Sequence, residues 1–225
     1  AAPRPADAVF GDRFGSGAWG DRWTVFGNPT VTAGSQSGEP YLEVSADGSG
    51  LDGIASTEAW PLPLGATLEL EFELPLGGRR DRQSVRLCLY RAVDAAGAPI
   101  GPLPVDLAAA GYVCALYPTG EHGWWDPTTV AFGSSRMSLG NVSLADRQVP
   151  DGWTHLAIQV RPDGEGSLVV DRRVVFRHAG IMPAIARGPW RLALFARTVD
   201  TRLRVRNVVL REGIRYGADG PLPGS

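Results

Sequence analysis

The chain has 225 residues, 24 acidic and 22 basic, for a formal net charge of −2. That near-neutral balance argues against a general nucleic-acid binder, and the lack of any run of about 18 apolar residues argues against a membrane-spanning helix. The 29 glycines and 18 prolines exceed the usual ~12% for the pair, but 44% hydrophobic content keeps the chain in the globular class. Every basic residue is an arginine.

The chain begins Ala1-Ala2-Pro3-Arg4-Pro5, without Met. Cleavage of a signal peptide after small residues leaves such a start, and so does an arbitrary boundary. Export to the periplasm or the extracellular space is the expectation adopted. From there period-2 alternation dominates. Tyr41–Val44 is the first clear run, and Thr67-Leu68-Glu69-Leu70-Glu71-Phe72-Glu73-Leu74 is a half-buried strand with Leu68, Leu70, Phe72 and Leu74 turned inward. Similar runs follow at Ser84–Arg91, Tyr112–Tyr117, Trp153–Val160, Ser167–Val170, Val174–Arg177, Trp190–Ala196 and Leu203–Leu210. Between Val160 and Ser167, Arg161-Pro162-Asp163-Gly164 reads as a hairpin turn, since Asp-Gly supplies the positive-φ positions. Only Val105–Ala110 and Ile181–Ala186 could make a turn or two of helix. Many short strands at this spacing predict an all-β sandwich or barrel. With no repeat and no linker, residues 1–8 read as an N-terminal extension, 9–215 as one domain and 216–225 as a C-terminal tail.

Two cysteines, Cys88 and Cys114, stand on strands separated by the long excursion from Arg91 to Gly111. If those strands are neighbours in register the sulfurs meet, and either a disulfide or two buried thiols fits. No C-x-x-C or Cys/His ligand spacing is present, which excludes the usual zinc and haem motifs. Calcium needs six to eight oxygens, and the oxygen-rich turns Asp47–Asp52 and Asp163–Glu165 show no dedicated loop. No cofactor is therefore expected. No G-x-S-x-G elbow or glycine-rich phosphate loop occurs.

Trp153-Thr154-His155-Leu156-Ala157-Ile158-Gln159-Val160, then Asp163-Gly164, then Leu168-Val169-Val170-Asp171, resembles the hairpin of laminin-G-like domains in the concanavalin A-like lectin/glucanase superfamily. The glycine that usually follows is Arg172 here. The opening Val9-Phe10-Gly11-Asp12-Arg13-Phe14 with Trp19 and Trp23, and the closing Leu203–Leu210, resemble the two ends of bacterial members. The likeness runs from about Val9 to Arg211 and implies a jelly-roll sandwich of two antiparallel sheets. It makes His155 a structural residue of the pattern. That superfamily holds sugar-binding proteins, glycosidases and protein-interaction modules, so the fold alone names no function.

Glu69-x-Glu71-x-Glu73 is similar to the E-x-D-x-E of laminarinase-type retaining glycosidases, which supplies nucleophile, helper and acid/base from carboxyls about 5 to 5.5 Å apart. Here the middle residue is Glu71 in place of Asp, and the aromatic residues that usually surround the motif are missing. Arg202-x-Arg204-x-Arg206 presents a second charged stripe at the same period. First and last strands are commonly adjacent in this fold, so the two stripes are expected to pair as a ladder, each pair adding a few tenths to ~1 kcal/mol. The ladder is preferred over catalysis.

Charge is segregated. Trp23 to Gly78 holds eight acids and no bases, whereas Arg161 to Arg215 holds twelve arginines and five acids. Internal pairing of these regions is favoured over docking of an acidic partner. The loop Gly120-Glu121-His122-Gly123-Trp124-Trp125-Asp126-Pro127 offers two tryptophans that would stack on a sugar or anchor a protein contact, or plug one end of the sandwich. Trp124, Trp125, His122 and Asp126 are thus the candidate binding residues. The reading placed first is a non-catalytic, exported accessory subunit that binds protein partners in a larger assembly. A carbohydrate-binding module comes second, with a glycan as its ligand, and a glycoside hydrolase using Glu69, Glu71 and Glu73 third.

Overall fold

The computed structural model describes residues 8–15, 17–46, 52–73, 85–93, 98–99, 112–117, 129–134, 138–143, 152–179, 189–196, 201–218 and 220–221. In chain order the strands are β1 (Ala8–Asp12), β2 (Trp23–Phe26), β3 (Thr30–Gln36), β4 (Glu39–Ala46), β5 (Asp52–Ser56) and β6 (Trp60–Pro61). Then come β7 (Ala66–Glu73), β8 (Val85–Arg91), β9 (Tyr112–Tyr117), β10 (Thr129–Ser134), β11 (Ser138–Ser143) and β12 (Thr154–Val160). The last are β13 (Gly166–Val170), β14 (Arg173–His178), β15 (Pro189–Ala196), β16 (Thr201–Glu212), β17 (Tyr216–Gly217) and β18 (Gly220–Pro221). A single 3-10 turn at Trp19–Asp21 is the helical structure among the described residues, and none of their helices is long and apolar enough to cross a membrane. The candidate helical turns at 105–110 and 181–186 lie outside the described residues.

One sheet runs β14-β13-β12-β7-β16-β4-β3, with β1 alongside the second half of β16. The other runs β11-β10-β9-β8-β15-β5-β2, with β6 against β15. Every pairing is antiparallel, and the neighbours β7–β16 and β8–β15 come from distant parts of the chain. This is an all-β jelly-roll sandwich with very little helix. Alternation explains the packing: Leu68, Leu70, Phe72, Leu156 and Ile158 of the first sheet meet Leu87, Leu89, Leu192 and Leu194 of the second in one buried core. Phe10, Trp23 and Trp60 add an aromatic cluster with centroid spacings of 5.5 and 5.0 Å, and Asp12 accepts the indole N–H of Trp23 at 2.8 Å.

Three local features shape the outer face of the first sheet. The two-residue turn Asp171-Arg172 joins the paired residues Val170 and Arg173, with φ of 46° and 64°. A type I′ hairpin requires both to be left-handed, a conformation that favours glycine over arginine. In β16 a β-bulge interrupts the register: Arg206 faces Glu71, Val209 faces Glu69, and Asn207 between them has φ of 53°. Before the bulge Leu203 and Val205 point inward, and after it Val208 and Leu210 do, so the outward set changes from Arg204 and Arg206 to Val209 and Arg211. Finally, within the stretch 216–225 set apart as a tail, Tyr216–Gly217 and Gly220–Pro221 pair as the β17–β18 ribbon, and Tyr216 is only 3% exposed.

Candidate functional site

The three glutamates of β7 share the outer face, and each meets an arginine of β16. Arg204 donates to Glu43 at 2.8 Å and to Glu73 at 3.1 Å, and its guanidinium lies 4.9 Å from the Tyr41 ring centroid. The Tyr41 ring lies across Gly34 of the neighbouring strand, where a Cβ would fall 2.5 Å from it. Hydrogen bonding to Glu43 raises the pKa of Arg204 further. Arg206 donates to Glu71 and stacks 4.3 Å from the Trp153 ring. The amide of Asn207 reaches the same carboxylate at 3.4 Å.

Glu69 sits deepest, at 8% exposure. Arg211 donates to one carboxylate oxygen and the Tyr216 hydroxyl to the other, each at 2.5 Å. His155 Nε2 is 3.5 Å from the second oxygen and Arg215 is 3.8 Å from the first. Burial pushes the Glu69 carboxyl up, but hydrogen bonds from His155, Tyr216 and Arg211 outweigh it and hold the pKa at about 2. Burial, reinforced by the Glu69 charge, pushes the Tyr216 hydroxyl up, so it remains a donor. Because that hydrogen is committed to Glu69, His155 Nε2, 3.2 Å from the Tyr216 oxygen, is the donor of their contact. His155 Nδ1 is buried with no hydrogen-bond partner among the described residues.

The segment that brings Tyr216 here is held by one side chain. Gln159, 1% exposed, accepts from the backbone N–H groups of Arg215 and Tyr216 at 2.9 and 2.8 Å. Its amide donates to the Tyr216 carbonyl at 3.2 Å and to Ser167 at 3.0 Å. Thr67 donates to the Gly213 carbonyl at 2.7 Å. A buried side-chain amide thus replaces the missing neighbour strand and satisfies the segment's backbone groups.

Beside this segment lies a cleft of about 1260 Å³. Its floor is Glu69, Glu71, His155 and the β-bulge of β16. Asp12, Arg13 and Phe14 form one side, and Arg172, Arg215 and Tyr216 the other. Among the described residues, six arginines line it (Arg13, Arg22, Arg172, Arg206, Arg211 and Arg215), against the acids Asp12, Glu39, Glu69 and Glu71. The cleft is therefore rich in hydrogen-bond donors and holds carboxylates already engaged by arginine.

Of the residues expected from sequence, the structure brings Glu73 to Arg204 and Glu71 to Arg206. Among the described residues it does not bring Arg202 to a glutamate: Arg202 is exposed and its register partner is Ser45. Arg211, Gln159 and Tyr216 take the decisive places without having been singled out. Trp124, Trp125, His122 and Asp126 lie outside the described residues. Cys88 is buried, and the backbone register sets it opposite Cys114. Of the oxygen-rich turns, residues 47–51 lie outside the described residues, and Asp52 accepts the Asn28 N–H at 2.8 Å. Asp163 accepts the Glu165 N–H at 3.0 Å. Among the described residues, no group of three or more His, Cys, Asp or Glu side chains is placed to hold a metal ion.

No family profile matches the chain, and no curated protein matches its sequence. Solved structures match over nearly its full length. A protein of unknown function with a galectin-like fold from Bacillus subtilis aligns at a TM-score of 0.62 and 10% identity, covering 93% of this chain and 97% of that one. The carbohydrate recognition domain of Emp47p aligns at 0.58 and 10% identity, covering 86% and 90%. A β-glucanase from Bacillus licheniformis aligns at 0.57 and 13% identity, covering 93% and 100%. The strand order, the all-antiparallel sheets and these alignments show a jelly-roll sandwich fold, similar to that of lectin domains and of glucanases alike.

Proposed function

We propose that the chain is a carbohydrate-binding, lectin-like domain that does not hydrolyse its ligand, with the cleft over Glu69, Glu71 and His155 as the site. The observation that carries this reading is the engagement of Glu69. In a retaining glycosidase the first carboxylate of this pattern must attack the sugar with a free oxygen. Both oxygens of Glu69 are already taken, one by Arg211 and the other by the Tyr216 hydroxyl. Glu71 and Glu73 are each engaged by an arginine as well. What remains in the open cleft is a set of fixed donors suited to sugar hydroxyls and ring oxygens. The structural likeness to a carbohydrate recognition domain supports the same reading.

The accessory-subunit role that the sequence placed first draws on segregated charge. Much of that charge is taken up inside the chain, by the pairs Arg204–Glu43, Arg204–Glu73, Arg206–Glu71 and Arg211–Glu69. We place the domain outside the cytoplasm, and fractionation of the cells that make it tests that placement. For the binding role, the test is a glycan array together with a reducing-sugar assay on every glycan retained. Binding without release of reducing ends is the expected result. Release of reducing ends that Glu71→Gln abolishes would overturn the non-catalytic reading, and a dead array would overturn the carbohydrate reading.

A further inference from the structure

Resting on the carbohydrate reading, we infer that the cleft selects acidic glycans, whose carboxylate or sulfate groups are taken by the arginines on its two sides. Among the described lining residues six arginines stand against four acids. Arg206, Arg211 and Arg215 already have Glu71 and Glu69 beside them, which leaves Arg13, Arg22 and Arg172 with Asp12 and Glu39. Asp12 is turned to other work, accepting the Phe14 N–H and the Trp23 indole N–H, each at 2.8 Å. Arg22 is bound to the Gly11 carbonyl and packed 4.1 Å from the Phe10 ring centroid. Arg13 and Arg172 are exposed, and among the described residues neither makes an ion pair. A cleft with this positive excess, on a chain whose net charge is −2, favours an anion over a neutral sugar. Guanidinium groups match carboxylate and sulfate with two parallel hydrogen bonds, and open arginines supply them without breaking an existing pair.

Arg172 adds a second line of argument. It stands at φ of 64° in a two-residue hairpin turn, the position where glycine is least strained. A glycine there would meet the turn's backbone requirement and remove a charge from the rim. An arginine meets neither the turn's need nor that of the core, since its side chain is exposed at the cleft margin. Its exposed guanidinium stands where a ligand in the cleft would meet it. The same geometry makes Arg172→Gly a gentle probe, because the substitution relaxes the backbone while deleting the guanidinium. Arg13→Ala probes the opposite side independently.

The test is calorimetric titration of the whole chain with three oligosaccharides of equal length: a galacturonic acid tetramer, a sulfated chondroitin tetrasaccharide and neutral laminaritetraose. Binding of one or both acidic probes at least about tenfold tighter than laminaritetraose is expected, given the strength of charge-assisted hydrogen bonds. Which acidic probe binds separates carboxylate from sulfate as the source of charge. Arg172→Gly and Arg13→Ala should each weaken the acidic probe about tenfold and laminaritetraose by far less, and added salt should weaken the acidic probe alone. Equal binding of acidic and neutral probes, indifferent to both substitutions, would overturn the inference while the carbohydrate reading stands. No binding of any of the three would overturn the inference, and only a dead glycan array beside it would overturn the carbohydrate reading as well.

Discussion

Glu69 and Glu73 stand on the same face of one strand, four residues apart, and each meets an arginine of β16, but their surroundings differ. Glu73 shares Arg204 with Glu43, and the Arg204 side chain is 27% exposed. Glu69 is closed over by the C-terminal segment, and its partner Arg211 has a side chain only 6% exposed. Charge and spacing are the same in the two places, so burial decides their weight. An exposed or shared pair contributes little, whereas removing one member of a buried pair leaves an uncompensated charge out of water.

The comparison is broken most forcefully at its buried end. Glu69→Ala strands Arg211, and we expect a loss of about 3–5 kcal/mol in urea denaturation. The pH dependence carries the same signature. Glu69 titrates at about 2 when folded and near 4.5 when free. The unfolded chain therefore binds more protons between those values, and stability rises with pH across that window. Acidification from about 4.5 towards 2 should cost roughly 3 kcal/mol through this one group. Glu69→Gln, already less stable, should lack that component, and an unchanged acid transition would show that the buried pair does not carry it.

Next in size is Gln159→Leu, for which about 2 kcal/mol is expected because three backbone groups of the C-terminal segment lose their partner. The sharper readout is local. Amide exchange at Arg215 and Tyr216 should accelerate while the β7 and β12 amides stay protected. At the open end, Glu73→Gln should cost about 1 kcal/mol or less, since Arg204 keeps Glu43. A loss as large as that of Glu69→Ala would erase the distinction between the two ends. Smallest is Arg172→Gly, a gain of about 0.5 kcal/mol from relief of the left-handed backbone, read as a slightly higher melting temperature.

The sandwich was legible wherever one strand face was apolar and the other polar, as in Leu68–Phe72, Leu156–Val160 and Leu203–Val205. Strands without that contrast were not. Thr30–Gln36 has no buried residue and sets only Val31 against the core, because it borders the sheet as β3, and Asp52–Ser56 is buried on both faces. The acidic stripe was legible too, but its third arginine was not. Counting every second residue from Arg202 selects Arg206, then steps past Arg211, because Asn207 inserts one residue and reverses the phase. The signal was present in the spacing Leu203, Val205, Val208, Leu210, where one gap is three and the second of the two residues within it is Asn207, an asparagine, which tolerates positive φ. The C-terminal clamp left no such trace. Its holding groups are Gln159 and Thr67, two polar residues on what reads as a solvent face, and only the folded chain shows what covers them.

The central claim is that the ligand enters the cleft between Arg13 and Arg172, over carboxylates locked to arginine. Backbone amide chemical-shift mapping of the labelled chain during titration with the galacturonic acid tetramer tests it most directly. The account predicts saturable shifts clustered at Arg13, Arg172, Asn207, Arg215 and Tyr216. Saturable shifts confined to the loop around Trp124 and Trp125, with the cleft silent, would contradict it.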